Sequence, residues 1–235
     1  MTILAIDTSH PTGSVSVRVG DEDPRTLLFG AASSHLVEMG GAVARLLETA
    51  GARPEAIDRV ALVIGPGSFT GLRIGLAYAK GLYAALATEI VTMVSLELLA
   101  IPVLAAHETA CAMIDARKSE VYAAVYRRAQ PGAKLAAVIE PHAVAPDRLL
   151  TSLGGRPMVF VGSGAVRFRP AIERALGAAA VFTPDAYNQP STAVLCRAGA
   201  ELPVLGTEDL SRLEPYYIRP SDAKLKALRR IQSHE

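Results

Sequence analysis

The 235-residue sequence lacks an excess of charge of either sign: its net charge at pH 7 is +1 and its isoelectric point lies near 7.8. Proteins that grip nucleic acid unaided generally carry a strong positive field, so any contact with nucleic acid is expected to be shared with a partner. Cysteine is nearly missing. Cys111 and Cys196 are the only two, which excludes a disulfide framework and a thiolate zinc site and fits two buried, reduced thiols. The five histidines, His10, His35, His107, His142 and His234, include no pair at i, i+4, the spacing that sets two imidazoles on one metal, and no metal site is expected. Apolar runs of membrane length are missing too. The tracts Ile74 to Ala87 and Leu98 to Ile114 are interrupted by Lys80 and by Pro102, His107 and Glu108, so neither reads as a membrane span. The opening MTILAIDTSH has no basic stretch before its apolar residues and carries Asp7 among them. That is unlike a secretory signal, and a cytoplasmic location is expected.

Apolar residues make up 50% of the chain, enough for two lobes. Ile3 to Ile6 reads as a short strand ending at Asp7, and Ser14-Val15-Ser16-Val17-Arg18-Val19 alternates as a half-buried strand does, giving a hairpin with an acid at its tip. The device returns where Cys111-Ala112-Met113-Ile114 runs into Asp115, followed by Glu120 to Tyr126. A second pattern also repeats in order: Val60 to Ile64 enters Gly65-Pro66-Gly67 and a helix-like segment, as Met158 to Val161 enters Gly162-Ser163-Gly164. Two similarities in one order indicate a duplicated α/β lobe. The boundary is placed near Ala105, giving lobes 1–104 and 105–235.

Ser34 is a candidate helix cap ahead of Leu36, Met39, Val43, Leu46 and Leu47 at helical spacing, and Gly51 closes that helix. The next helix, Gly71 to Ala87, carries only Arg73 and Lys80 as charges, seven apart on one narrow face. Gly71, Gly75 and Ala79 form a smooth strip where another helix could come close, and so much apolar circumference points either to a helix sandwiched inside its own domain or to a subunit contact, the reading followed here.

The glycine turn raises the question of phosphate. A P-loop requires Gly-Lys-Ser/Thr, but Leu72 and Arg73 follow Gly71; a dinucleotide fingerprint requires glycine where Thr70 stands. The duplicated layout points instead to a two-lobed ATPase cleft of the actin and sugar-kinase kind. Close approach of backbone N–H groups to an anion favours glycine at the hairpin tips, and Asp115-Ala116-Arg117-Lys118-Ser119 has none. The expectation is a degenerate cleft whose remnants are Asp7, Thr8, Ser9, Asp115, Arg117, Gly162, Ser163 and Gly164. Asp7 and Asp115 also fit as turn acids capping backbone N–H groups.

Ala5-Ile6-Asp7-Thr8, the stretch Gly65-Pro66-Gly67-Ser68-Phe69-Thr70-Gly71-Leu72-Arg73-Ile74-Gly75, Ile114-Asp115-Ala116-Arg117 with Glu120-Val121-Tyr122, and Glu214-Pro215-Tyr216-Tyr217-Ile218-Arg219 together resemble the TsaB (YeaZ) family of bacterial tRNA threonylcarbamoyladenosine biosynthesis proteins. The resemblance implies an α/β, duplicated actin-like ATPase (ASKHA, ribonuclease H-like) fold, two lobes each with a mixed sheet flanked by helices. It further implies a non-catalytic subunit that pairs with and activates the catalytic paralogue TsaD, which adds a threonylcarbamoyl group to the adenosine next to the anticodon of tRNA. The ATPase subunit TsaE joins the pair, tRNA is met through the complex, and a homodimer is expected when the chain is alone. No cofactor is required by this chain, while ATP or ADP has a place in the complex. The family's dimer surface maps onto the first two helices, here Leu36, Met39, Val43, Leu46, Leu47, Gly71, Leu72, Gly75, Tyr78, Ala79 and Leu82. Ile218 to Arg230 holds Arg219, Lys224, Lys226, Arg229 and Arg230 against Asp222, and reads equally as a tRNA or partner contact or as a solvated basic helix end. Rival readings are an active ATPase or small-molecule kinase of the same fold, a metallopeptidase, and a stand-alone homodimeric binding protein.

Overall fold

The computed structural model describes residues 1–30, 35–128 and 135–219. The proposed cap Ser34 and the tail residues Asp222, Lys224, Lys226, Arg229 and Arg230 lie outside the described residues. Among those described, two five-stranded sheets share one strand order. The first joins β1 (Thr2–Asp7), β2 (Gly13–Val19), β3 (Arg25–Phe29), β4 (Arg59–Val63) and β5 (Glu89–Met93) in the order β3-β2-β1-β4-β5. The second joins β6 (Thr109–Asp115), β7 (Val121–Arg127), β8 (Ala136–Val144), β9 (Met158–Val161) and β10 (Ala180–Phe182) in the order β8-β7-β6-β9-β10. In both, an antiparallel hairpin lies beside parallel strands, and the acid ends the first strand of the hairpin: Asp7 pairs with Ser14 and Asp115 with Val121. The expected duplicated mixed-sheet fold is present.

Helices cover both faces of each sheet, which is why β1 and β6 read as apolar runs rather than alternating ones. Leu4 and Ile6 face α1 (His35–Thr49) and α2 (Phe69–Leu86), whereas Ile3 and Ala5 pack with Leu195 and Cys196 of α7 (Thr192–Ala198). Phe160 and Met113 pack on α4 (Pro146–Leu153), α5 (Ser163–Arg167) and α6 (Arg169–Leu176). Between the sheets runs α3 (Ser95–Val103), apolar almost all round because it serves two cores: Leu98 joins the first, and Leu96, Leu99 and Val103 the second. Both cysteines are buried and free, and burial pushes each thiol up to about 12.

The expected boundary at 104/105 lies between the two sheets, and later elements cross it. The change of sheet falls between β5 and β6, but α7 and Leu210 of α8 (Thr207–Arg212) return to the first sheet. A helix crossing back by long-range contact leaves no signal in local sequence.

The residues of the expected interface divide between the core and the surface. Met39, Val43, Leu46 and Leu47 on α1, and Leu72 and Ala79 on α2, are buried in the protein's own interior. The smooth strip faces inward as well: a Cβ placed on Gly71 would lie 2.0 Å from the Thr8 carbonyl oxygen, and one on Gly75 would lie 2.4 Å from Thr8 Oγ1. The small residues admit the turn between β1 and β2, not a helix from another chain. A bulky residue at Gly75 therefore tests the fold rather than an interface. The outward side of α2 is a different stripe, with Thr70, Arg73, Ala77, Gly81 and Ala84 exposed and Tyr78 and Leu82 half-buried.

Candidate functional site

A cleft of about 1140 Å³ opens between the two hairpin tips. Of the expected remnants, Ser9, Asp115, Arg117 and Ser163 line it; Asp7, Thr8, Gly162 and Gly164 are not among its lining residues. Thr8 lies under α2, and the two glycines are pressed against β6, where a Cβ on Gly162 would lie 2.4 Å from the Met113 carbonyl oxygen.

Both acids act as turn caps. Asp7 Oδ1 accepts from Ser9 N at 2.8 Å, and Asp115 Oδ1 accepts from Arg117 N at 2.9 Å. Asp115 also receives Arg167 at 2.5 Å. Three amides around the cleft have partners too: Asp115 N donates to Ser163 Oγ at 3.1 Å, Gly162 N to Asn188 Oδ1 at 2.8 Å, and Ser68 N to Ser9 O at 2.7 Å. These amides are engaged internally and are not turned towards the cleft as free donors. Among the described residues, no group of three or more His, Cys, Asp and Glu side chains gathers as metal ligands would.

Sequence reasoning missed several lining residues, among them His10, Phe69, Tyr217 and Arg219. His10 Nδ1 shares a 2.8 Å hydrogen bond with Ser9 Oγ, while Nε2 is buried without a partner among the described residues. Burial pushes its pKa below the usual imidazole value, against the opposing pull of Asp7 4.0 Å away. With the folded value below the unfolded one, the unfolded state binds more protons, so stability is fully present above pH 6.5 and falls as pH drops from there towards the folded value. Urea titrations at pH 7 and pH 5 are expected to show a loss that His10→Gln escapes. Equal losses in both proteins would remove His10 as the cause.

Residues from the end of the described chain close one side of the cleft. Tyr217 stacks on Phe69 with ring centroids 4.8 Å apart, its hydroxyl accepts from Arg73 Nε at 3.0 Å, and the Arg73 guanidinium lies 4.0 Å over the Phe69 ring. Lys80 donates to Leu213 O at 3.0 Å. The two charges of α2 thus hold the chain's own later segment, a pairing across more than a hundred residues that spacing could not reveal.

On the other side of Phe69 and Thr70 lies a second hollow, a groove of about 550 Å³ between α1 and α2. Leu36, Val37, Gly40, Ile74, Ala77 and Tyr78 line it with Arg73 at the rim. Leu36 and Val37 are 71% and 78% exposed, and what marks them is that they share one apolar groove rather than standing singly. Of the eleven interface candidates, only Leu36, Met39 and Tyr78 reach this groove, and Met39 only from the buried side. Val37, Gly40 and Ala77 were missed, because a single helical period marks the core face and says nothing of what the opposite face meets.

Comparison with known proteins agrees with this architecture. Residues 30–223 match the family described as TsaD, tRNA N6-adenosine threonylcarbamoyltransferase. The tRNA threonylcarbamoyladenosine biosynthesis protein TsaB of Bacillus subtilis (strain 168) is 30% identical, over 96% of this chain and 97% of its own. The Escherichia coli K12 protein of the same name is 34% identical over 70% of this chain and 72% of its own. YeaZ from Pseudomonas aeruginosa superposes with a TM-score of 0.75 at 25% identity, covering 92% of this chain and 99% of that one. A fold built twice on the same strand order, with relatives matched from end to end, places this chain in the TsaB (YeaZ) family of tRNA threonylcarbamoyladenosine biosynthesis proteins.

Proposed function

We propose that the chain serves tRNA threonylcarbamoyladenosine biosynthesis as a non-catalytic subunit, pairing with and activating the catalytic paralogue TsaD through the groove between α1 and α2. The observation that carries this reading is the groove itself, where Leu36 and Val37 stand in solvent beside the exposed stripe of α2. Apolar surface of that kind marks a protein contact. The internally bonded amides of Ser9, Arg117 and Gly162 support a scaffolding role over phosphate transfer, since each is one fewer free donor for an anion in the cleft. TsaE and tRNA are met in the complex, ATP or ADP binds there rather than as a cofactor of this chain, and the compartment is the cytoplasm. When alone, the chain pairs with a copy of itself through the same groove, because one apolar face can be covered by either partner.

Reconstitution with purified TsaD, TsaE, tRNA and ATP tests the reading. Omitting this chain is expected to slow the initial rate of tRNA modification at least about tenfold, equivalent to roughly 1.4 kcal/mol in the activation barrier, and this chain alone is expected to form no product. Undiminished product on omission would contradict it.

A further inference from the structure

Resting on the groove as the docking surface, we propose that Tyr217 and Arg219 are positioning residues of an interlobe clasp that sets the first turn of α2, so that the groove's grip depends on two side chains outside it. The segment from Glu214 to Arg219 is anchored in both lobes. On the first, Tyr216 N donates to Ile64 O at 2.7 Å, and Tyr217 is held by Phe69 and Arg73. On the second, Arg219 donates to Ala116 O at 2.7 Å and to Glu120, and Ile218 packs with the core around Leu96 and Ile114.

The anchors at Tyr216 and Arg219 are three residues apart, a stretch of chain that spans at most about 11 Å. The two residues between them are themselves held, Tyr217 on Phe69 of the first lobe and Ile218 in the core of the second, so a shift of the second lobe's hairpin tip pulls on these contacts. Phe69 and Arg73 belong to both structures: they receive the clasp and they line the groove. Releasing Arg219 frees Tyr217 from its far support, and the first turn of α2 loses the ring and hydroxyl that hold its two largest side chains.

Two measurements on the full chain test this. In the free protein, hydrogen exchange is read at Ser68, Gly71 and Leu72, whose amides donate to Ser9 O, Ser68 Oγ and Ser68 O. Arg219→Ala and Tyr217→Ala are each expected to speed exchange there about tenfold while β4 is unchanged. With purified TsaD, calorimetric titration is expected to show affinity reduced about fivefold or more in both, whereas Tyr217→Phe, which keeps the stack, stays within about twofold of the parent. Unchanged exchange in Arg219→Ala would overturn the clasp. Faster exchange with undiminished affinity would overturn its link to the groove. If the unsubstituted chain shows no affinity for TsaD while exchange still rises in the variants, the clasp is supported and the docking reading fails.

Discussion

Gly71→Ala is expected to lower the unfolding free energy by about 2–3 kcal/mol, although glycine to alanine inside a helix ordinarily stabilises by up to about 1 kcal/mol. The reversal comes from a backbone contact. The new methyl would stand 2.0 Å from the Thr8 carbonyl oxygen, and a main-chain atom at the end of β1 cannot turn aside as a flexible side chain would. Instead α2 must lift, drawing Leu76 and Ala79 out of the core they share with Leu4, Ile6 and Leu62. Gly81→Ala on the same helix supplies the control: no atom lies within 4 Å of its Cβ position and the site is exposed, so propensity alone acts and stability rises by up to about 1 kcal/mol. Urea unfolding of the two variants should give midpoints on opposite sides of the parent, with slopes unchanged. Gly71→Ala at or above the parent's midpoint would show that the close approach of α2 to Thr8 is not what the glycine serves.

Ala77→Arg is expected to weaken association with TsaD at least about a hundredfold, corresponding to some 2.8 kcal/mol, with little change in the stability of the free chain. Ala77 is exposed in the wall of the groove beside Ile74 and Leu36. A guanidinium there stays in open solvent in the monomer, and its charged neighbours along the helix, Arg73 at i−4 and Lys80 at i+3, each cost it only a few tenths of a kcal/mol, about the size of such pairs. Once a partner covers the groove, the same group is a buried charge without a counter-ion, and leaving one so costs several kcal/mol. Self-association should weaken in parallel, because it uses the same surface. Gel filtration and calorimetry would read both effects. A complex of undiminished affinity would exclude the α2 stripe from the interface.

What the sequence disclosed and what it withheld divide along physical lines. Hairpins ending in Asp7 and Asp115, glycine turns entering helices, and an α2 poor in charge are local patterns of period or composition, and the structure contains them in the expected order. The strip Gly71, Gly75 and Ala79 was legible as a place of close approach, but not the identity of what approaches. Any backbone or helix fits against small residues, and here Thr8 of the same lobe does. The roles of Arg73, Lys80, Tyr217 and Arg219 were hidden for another reason: each acts on a residue 99 to 144 positions away, and such pairings leave no periodicity. The return of α7 to the first sheet was hidden in the same way.

The central claim, that the groove between α1 and α2 is covered by the catalytic paralogue, is tested most directly by Val37→Cys. The native thiols Cys111 and Cys196 are buried, and burial pushes both up to about 12, so an alkylating reagent at pH 8 reports on the new thiol alone. Adding TsaD in saturating amount, with complex formation verified by mass, is expected to slow alkylation of Cys at this position at least about tenfold. An unchanged rate in the formed complex would place the partner elsewhere on the molecule and contradict the account.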